Sequence, residues 1–267
     1  MKLLHARLAL AAIAGREVHK FLRQPGRLAS SLVRPLLWMV VFAAGFRQMP
    51  DLGTVMPFDP ALDYRMYMVP GLALMVCLFN GMQSSLAMVY DREMGVMRLL
   101  LTAPLPRAYL LACKLMGGAF LSVLQALAFM ILVVIWQIGL SPLQLLTALP
   151  ALIMGALMLS AFGLMLSVYI RQLENFAGTM NFVIFPMFFL SSALYPIGRM
   201  RDAGASWIYQ ISALNPFTHA VESVRYALYG ELSGSLWVVL AATLVFYWIA
   251  AAGYDPQRGL IKSARGG

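Results

Sequence analysis

A charged stretch lies between two apolar runs of this chain at residues 89–114, which read VYDREMGVMRLLLTAPLPRAYLLACK. Its acidic and basic side chains can form ion pairs and hydrogen bonds, but they do not match a known catalytic motif. Asp91, Gly95, Arg98 and Thr102 are spaced four, three and four residues apart, so they would share one face of a helix. Such a charged helix face is suited to contact with a soluble partner.

Two prolines end this predicted helix. Pro104 and Pro106 remove backbone donors and disfavour helix in the residues before them, so we expect the helix to end by Ala103. Arg107 and Lys114 then flank the start of the next apolar run. A short polar helix followed by a rigid elbow could transmit a push from a soluble partner. An ordinary interfacial loop is the alternative, and composition alone favours it.

The composition identifies a membrane protein. The chain has 267 residues, of which 61% are hydrophobic and 12% charged, with a mean hydropathy of +0.77, whereas soluble domains are about 25% charged. At about 20 residues per span, the length accommodates six helices and no separate catalytic domain. The net charge of +9 lies mainly between the apolar runs, which argues against nucleic acid as a partner.

Long apolar runs without charge mark the membrane-spanning helices. Six such runs are residues 28–46, 66–89, 115–138, 143–170, 176–196 and 236–253. Arg34 and Pro35 interrupt the start of the first run. The Arg34 side chain could extend to the cytoplasmic interface if the hydrocarbon portion begins near Leu36.

The distribution of lysine and arginine predicts the orientation. With the amino terminus inside, fourteen of these residues fall in cytoplasmic segments and five in external ones, which places both termini in the cytoplasm. In residues 16–27, Arg16, Lys20, Arg23 and Arg27 recur at helical spacing. They predict a basic amphipathic helix on the inner membrane surface. Anchoring to anionic lipid and contact with a cytoplasmic partner are both open for it.

This arrangement resembles the permeases of the ABC type-2 (ABC-2) transporter family, which includes nodulation-factor, drug and polysaccharide exporters. The shared order is a basic amphipathic helix, two spans, an E-x-G-x-x-R-x-L segment, and P-x-P-R before the third span. The matching positions are Glu93, Gly95, Arg98, Leu100, Pro104 and Arg107. Residues 214–230, LNPFTHAVESVRYALYG, resemble the family's N-P…R segment before the last span. The resemblance covers essentially the whole chain.

The resemblance implies a fold and a set of partners. The fold is an all-α polytopic membrane protein, with one ABC type-2 transmembrane domain over residues 1–267. This domain comprises a cytoplasmic amphipathic segment (1–27), six transmembrane helices (28–253) and a cytoplasmic tail (254–267). The chain would be a multi-pass permease of the bacterial inner membrane that pairs with a second permease subunit, as a homodimer in preference to a heterodimer. It would dock two ABC ATPase subunits.

We expect the nucleotide site on that partner. The chain contains no G-x-x-x-x-G-K-[ST] phosphate loop, so ATP and Mg would be bound by the ATPase. The permease itself would have no cofactor, no metal and no catalytic residue. The residues that the resemblance assigns to ATPase coupling are Asp91, Arg92, Glu93, Gly95, Arg98, Leu100, Pro104 and Arg107.

Residues 197–235 precede the last span and are too polar to cross the membrane. Their aromatic residues predict interfacial helices at the outer surface, and the resemblance implies short re-entrant helices that form an outer gate. Asn215 and Pro216 would start the second of these helices. Glu222 and Arg225, at i and i+3, can form a salt bridge and are further candidates for the outer gate. In energetic terms we interpret this pair as a solvated surface contact that contributes little.

Polar side chains within the predicted spans need partners. The candidates are Asn80, Gln83 and Ser84 in the second span, and Asn181, Phe185, Phe188 and Ser192 in the fifth. They could line a substrate path along a dimer axis, as the resemblance implies, or form helix–helix contacts. Because no span carries an unpaired carboxylate well inside, such a path would suit an amphipathic, lipid-linked or drug-like cargo more than an ion.

Two other functions compete with an exporter permease. The sequence does not offer the catalytic residues that an intramembrane enzyme would need within its spans. His5 and His19 lie near the amino terminus, His219 lies in the external segment, and no H-E-x-x-H motif occurs. A non-transporting membrane scaffold would leave the charged segment 89–114 without a role. The sequence therefore favours the exporter permease.

Overall fold

The computed structural model describes residues 15, 19, 23, 25–45, 64–95, 106–136, 139–170 and 172–253. The elements in these ranges are helices, without a strand, in agreement with the predicted all-helical class. In chain order they are α1 Pro25–Gly45, α2 Tyr64–Glu93, α3 Arg107–Ile135, α4 Pro142–Tyr169, α5 Leu173–Phe189, α6 Gly198–Asp202, α7 Ser206–Leu214, α8 Pro216–Leu228 and α9 Ser235–Gly253. Most of the amphipathic segment 16–27 and the whole tail 254–267 lie outside the described residues.

Within the described ranges, four helices are long and apolar enough to cross a membrane: α2, α3 from Ala108, α4 and α9. The other two predicted spans fall on α1, whose apolar portion is Leu32–Phe42, and on α5. Helix α5 has 17 residues and is therefore about 26 Å long, shorter than the roughly 30 Å of bilayer hydrocarbon. The count of six spans remains a prediction.

Local sequence explains where several helices begin. At the start of α4, the Ser141 hydroxyl accepts a hydrogen bond from the Gln144 backbone N–H (3.3 Å), and the Gln144 side chain accepts one from the Ser141 N–H (2.9 Å). This reciprocal pair is a capping box, followed by Pro142 at the first helical position. Helix α8 starts at Pro216 with Asn215 as its N-cap, where the sequence predicted it.

Helix α2 lies at the centre of the molecule and is buried along nearly its whole length. Glycines allow it to approach its neighbours closely, as is common between membrane helices. A Cβ built on Gly81 of α2 would lie 3.1 Å from the Leu159 carbonyl oxygen of α4, and one built on Gly163 of α4 would lie 2.7 Å from the Ser85 hydroxyl. The packing of α2 on α4 therefore depends on small residues in both helices.

The closest approach gives a stability prediction. A Cβ at Gly71 of α2 would lie 2.6 Å from the Ala193 Cβ and 2.7 Å from its Cα. Because part of this obstruction is backbone, we expect Gly71→Ala to destabilise the protein by about 1–3 kcal/mol and to lower its melting temperature in detergent. The matched control is Gly178→Ala in α5, where nothing lies within 4 Å. There the gain in helix propensity should leave stability unchanged or higher. Equal melting temperatures for the two variants would contradict the prediction.

Candidate functional site

Helix α2 ends at Glu93, and the chain turns at Met94 and Gly95. Gly95 has a φ of +73°, the left-handed conformation that glycine commonly adopts just past a helix end. The predicted continuous helix face from Asp91 through Gly95 to Arg98 is therefore wrong. The glycine itself was the sequence signal for this helix end. Of the other predicted coupling residues, Arg98, Leu100 and Pro104 lie outside the described residues, and Arg107 is the first residue of α3.

The last three residues of α2 contact three different helices. We call Asp91, Arg92, Glu93 and Lys114 of α3 the Asp91 cluster. The Asp91 carboxylate accepts a hydrogen bond from the Lys114 ammonium at 3.0 Å, and the two side chains are 6% and 13% exposed. An ion pair buried to this degree is costly to break from one side, because the remaining charge is left unpaired. This pair fixes the end of α2 to the first turns of α3.

Arg92 binds the end of α4. Its Nη2 donates hydrogen bonds to the carbonyl oxygens of Ser167 (2.6 Å) and Ile170 (2.9 Å). Carbonyls in the last turn of a helix lack partners within the helix, and a cation there is stabilised by the negative end of the helix dipole. The guanidinium therefore acts as a cap for α4.

Glu93 binds the start of α5. Its Oε1 accepts a hydrogen bond from the backbone N–H of Leu173 at 2.9 Å. Leu173 is the first residue of α5, where a free N–H and the positive end of the helix dipole both favour a carboxylate. Adjacent residues of opposite charge thus hold opposite ends of the α4–α5 connection. In this structure their partners lie within the chain.

At the other end of α2, a second group of polar residues surrounds the chain after α5. We call Tyr64, Tyr67, Asn215, Glu222 and Arg225 the Arg225 cluster. The chain after Phe189 leaves the helix, yet its residues Ser191–Leu194 are buried. Buried non-helical backbone needs hydrogen-bond partners, and this cluster supplies donors.

Asn215 serves two helices at once. Its amide Nδ2 donates to the carbonyl oxygens of Met187 (2.8 Å) and Leu190 (2.6 Å) at the end of α5. Its Oδ1 accepts from the Phe217 backbone N–H at 3.0 Å, which caps α8. A side-chain amide carries both donors and an acceptor, so asparagine can do what neither aspartate nor serine could do alone.

Arg225 lies at the centre of its cluster. It is 2% exposed, its Nη2 donates to the Ser192 carbonyl oxygen at 2.6 Å, and its Nη1 donates to the Glu222 carboxylate at 2.5 Å. Its Cζ lies 3.9 Å from the centroid of the Tyr67 ring, and the Tyr67 hydroxyl also donates to the Ser192 oxygen (3.1 Å). Burial opposes the charge, but the attraction of Glu222, Tyr67 and Tyr229 and the hydrogen bond to Glu222 together outweigh it, so the pKa of Arg225 is raised.

The interpretation of Glu222 and Arg225 as a solvated surface pair is therefore wrong. The ion pair exists at the predicted spacing, but Tyr67 and the chain after α5 cover the guanidinium. Sequence spacing within α8 indicates the pair. It carries no signal for Tyr67, which lies 158 residues earlier, or for the Ser192 backbone.

The predicted substrate-path residues do not form one surface. In α2, Asn80 is 4% exposed, and Ser84 lines a cavity of about 10 Å³ together with Gly118 of α3 and Ser160 of α4. This volume is close to that of one water. Gln83 is partly buried.

In α5, Asn181 and Phe185 are exposed, but Phe188 is fully buried and Ser192 lies beyond the helix, 1% exposed. Phe188 and Ser192 thus do not line an open path in this structure. A path past Asn181 and Phe185 remains a prediction.

Both clusters lie within the region shared with known proteins. A family model described as ABC-2 type transporter matches residues 9–229. The inner membrane transport permease YadH of Escherichia coli (strain K12) is 24% identical over 262 residues, 95% of this chain and 97% of YadH. The transport permease ycf38 of Porphyra purpurea is 30% identical over 211 residues, 76% of this chain and 68% of that protein.

A third relative is longer. The ABC transporter permease YbhR of Escherichia coli (strain K12) is 27% identical over 195 residues, which are 70% of this chain and 51% of YbhR. In this family the ATPase resides on a separate partner subunit. The family match and the apolar helices together confirm the resemblance seen in the sequence: the chain is a multi-pass membrane protein that belongs to the ABC-2 type transporter family.

Proposed function

We propose that this chain is the transmembrane permease subunit of an ABC exporter. It moves an amphipathic, lipid-linked or drug-like substrate outward across the inner membrane, driven by ATP hydrolysis on a separate subunit. The working assembly contains two copies of the permease, as a homodimer, and two ATPase subunits, with both permease termini in the cytoplasm. Membership of the ABC-2 family supports this proposal.

The observation that carries the proposal is the Asp91 cluster. The chain between Gly95 and Arg107 is the proposed docking segment for the ATPase, and the cluster lies immediately before it. A displacement of this segment would move the end of α2. The hydrogen bonds of Asp91, Arg92 and Glu93 at that end would transmit the movement to α3, α4 and α5, respectively. Coupling thus uses Asp91, Arg92 and Glu93 as internal links, with the ATPase contact further along the chain.

The Arg225 cluster is the proposed outer gate. Asn215 and Arg225 hold the broken end of α5 through its carbonyl oxygens, with Pro216 fixing the start of α8 and Glu222 holding the guanidinium. Opening would require α8 to move together with the chain after α5. Otherwise the Asn215 amide, the Arg225 guanidinium and the carbonyl oxygens that they bind would be left without hydrogen-bond partners. The gate therefore moves as one unit.

Co-expression with a candidate ABC ATPase tests the proposed function. We expect a stable complex that hydrolyses ATP, and ATP-dependent uptake of a lipophilic dye into inside-out vesicles but not into right-side-out vesicles. Exchange of charge at Glu93 and Arg98 (Glu93→Arg with Arg98→Glu) should abolish assembly or coupling. If the folded permease purifies without a bound ATPase in every co-expression tested, the proposal is overturned in favour of a non-transporting scaffold.

A further inference from the structure

Arg34 is a charged residue on the surface of the molecule, beside the middle of the apolar helix α2. Its Cζ lies 4.0 Å from the centroid of the Phe79 ring. Phe79 is near the middle of α2, a helix of 30 residues that is about 45 Å long, so the ring is about 20 Å from either helix end. The expectation that Arg34 reaches the cytoplasmic interface is therefore wrong. Its guanidinium is held beside the midpoint of the most buried spanning helix.

This guanidinium has no anionic partner among the described residues. The side chain is exposed on the molecular surface, and none of the ion pairs in the described part of the chain includes it. The described carboxylates of α2 and α5 lie at helix ends, namely Asp91, Glu93 and Glu174. A second copy of the chain would bring the same helices, and hence no mid-helix carboxylate from them. A charge at bilayer depth is costly and marks a functional site when it lacks a structural partner.

The surroundings of Arg34 are aromatic. Phe79 contacts Phe185 of α5 edge to face at 6.5 Å, and Phe185 stacks on Phe189 at 6.3 Å. Phe189 in turn contacts Trp38, one turn beyond Arg34 in α1. Phe185 is 40% exposed, so this strip of rings reaches the surface beside the guanidinium. Helices α1, α2 and α5 all contribute to it.

A cation beside an aromatic strip favours one class of ligand. A guanidinium binds a phosphate or carboxylate through two parallel hydrogen bonds, and these are strong where water is excluded. Aromatic faces accept the apolar body of the same molecule. A neutral or cationic amphiphile would leave the charge unpaired.

We propose that Arg34 is the anion-binding group of a substrate site on the α1–α2–α5 face, and that the substrate is an amphiphile with a phosphate or carboxylate headgroup. Its role as a substrate site rests on the proposed export function. Phe79 positions the guanidinium, and Phe185 contacts the apolar portion of the ligand. The site selects anionic amphiphiles over uncharged ones of the same shape.

The test is a fluorescence titration of the permease alone in phosphatidylcholine nanodiscs. The probes are a pyrene-labelled dodecyl phosphate and the matching uncharged alcohol. We expect the phosphate to bind about tenfold tighter or more, Arg34→Met to abolish this preference, and Arg34→Lys to retain part of it. The control is Arg201→Met, since Arg201 also lies over a ring, that of Tyr209 at 5.5 Å, but has an anionic partner, Asp202, in the short helix α6. It should retain the full preference.

Stability separates a binding role from a structural one. If Arg34 serves a ligand, Arg34→Met removes an unpaired charge from an apolar setting and should leave the melting temperature unchanged or higher. Wild-type preference for the phosphate in Arg34→Met, or no preference in the wild type, overturns the proposal.

A second arm distinguishes cargo from resident bilayer lipid. When phosphatidylglycerol is added to the nanodiscs, retained binding of the phosphate probe supports a substrate site. Displacement of the probe would assign the anion to bilayer lipid and overturn the substrate role. The titration uses no ATPase, so its failure leaves the exporter proposal standing. Arg34-dependent binding without ATPase assembly would instead refute the exporter proposal and the substrate role that rests on it, and would leave an anion-binding site at Arg34.

Discussion

Arg225→Met should lower the melting temperature of the detergent-solubilised permease by about 10 °C. Removal of one partner from a buried ion pair costs about 3–5 kcal/mol, and each kcal/mol corresponds to roughly 2–4 °C for a chain of this size. Three groups lose a partner in this variant: the Glu222 carboxylate and the carbonyl oxygens of Ser192 and Tyr67. Arg225→Lys should also destabilise, because an ammonium cannot reproduce the planar fork that bridges the carboxylate and these carbonyl oxygens.

Two companion variants make the Arg225 prediction specific. Arg201→Met removes an arginine whose ion pair with Asp202 is exposed, with side chains 65% and 75% accessible, and should change stability by less than about 1 kcal/mol. Adding Glu222→Gln to Arg225→Met should recover part of the loss, since it removes the unpaired charge, and the two substitutions should be non-additive. A melting temperature for Arg225→Met equal to that of Arg201→Met would show that the guanidinium does not hold the chain after α5.

Arg92→Met should separate ATP hydrolysis from transport. We expect the complex with the ATPase to assemble and to retain its basal ATP hydrolysis, while ATP-driven transport falls by about tenfold or more. The reason is that the two hydrogen bonds from Arg92 to Ser167 and Ile170 connect the end of α2 to the end of α4. Each charge-assisted bond contributes about 1.5–3 kcal/mol. Without them, the ends of the two helices lose their direct hydrogen-bonded connection.

Three further variants test this separation. Glu93→Gln weakens the link to α5 and should reduce transport in the same way. Combined with Arg92→Met, it should add little, because both residues act on one connection. Arg92→Lys keeps a cation at the end of α4, but its shorter side chain places the ammonium less well for both carbonyl oxygens, so an intermediate rate is expected. If all three variants transport at the wild-type rate, the Asp91 cluster supports the fold and does not couple.

These two predictions concern opposite ends of one helix. Helix α2 carries Tyr64 and Tyr67 at its start and the charged run at its end, and it is packed closely between α3 and α4. Gly81 and Gly163 keep its packing on α4 tight, and Gly71 packs against Ala193 in the chain after α5. A rigid, buried helix with a polar cluster at each end offers a direct physical connection between the proposed coupling segment and the proposed outer gate.

Several features of this protein were predictable from local sequence. Long apolar runs located the helices, because lipid requires each spanning segment to satisfy its own backbone hydrogen bonds. Asn215 and Pro216 predicted the start of α8, because an N-cap side chain and a proline at the first position act only on their immediate neighbours. Gly95 carried an equally local signal, the end of α2, which the helical spacing of the charged residues concealed.

The partners of the polar residues were decided by the tertiary structure alone. Arg92 and Glu93 bind backbone groups some 80 residues away, and backbone carbonyls and amides occur at every position, so no residue type reveals which ones will be bound. The burial of Arg225 depends on Tyr67, and the depth of Arg34 depends on Phe79. Local chemistry accounts for the family resemblance, the apolar helices and the start of α8. Which charges are buried, and what they hold, depended on how the helices pack.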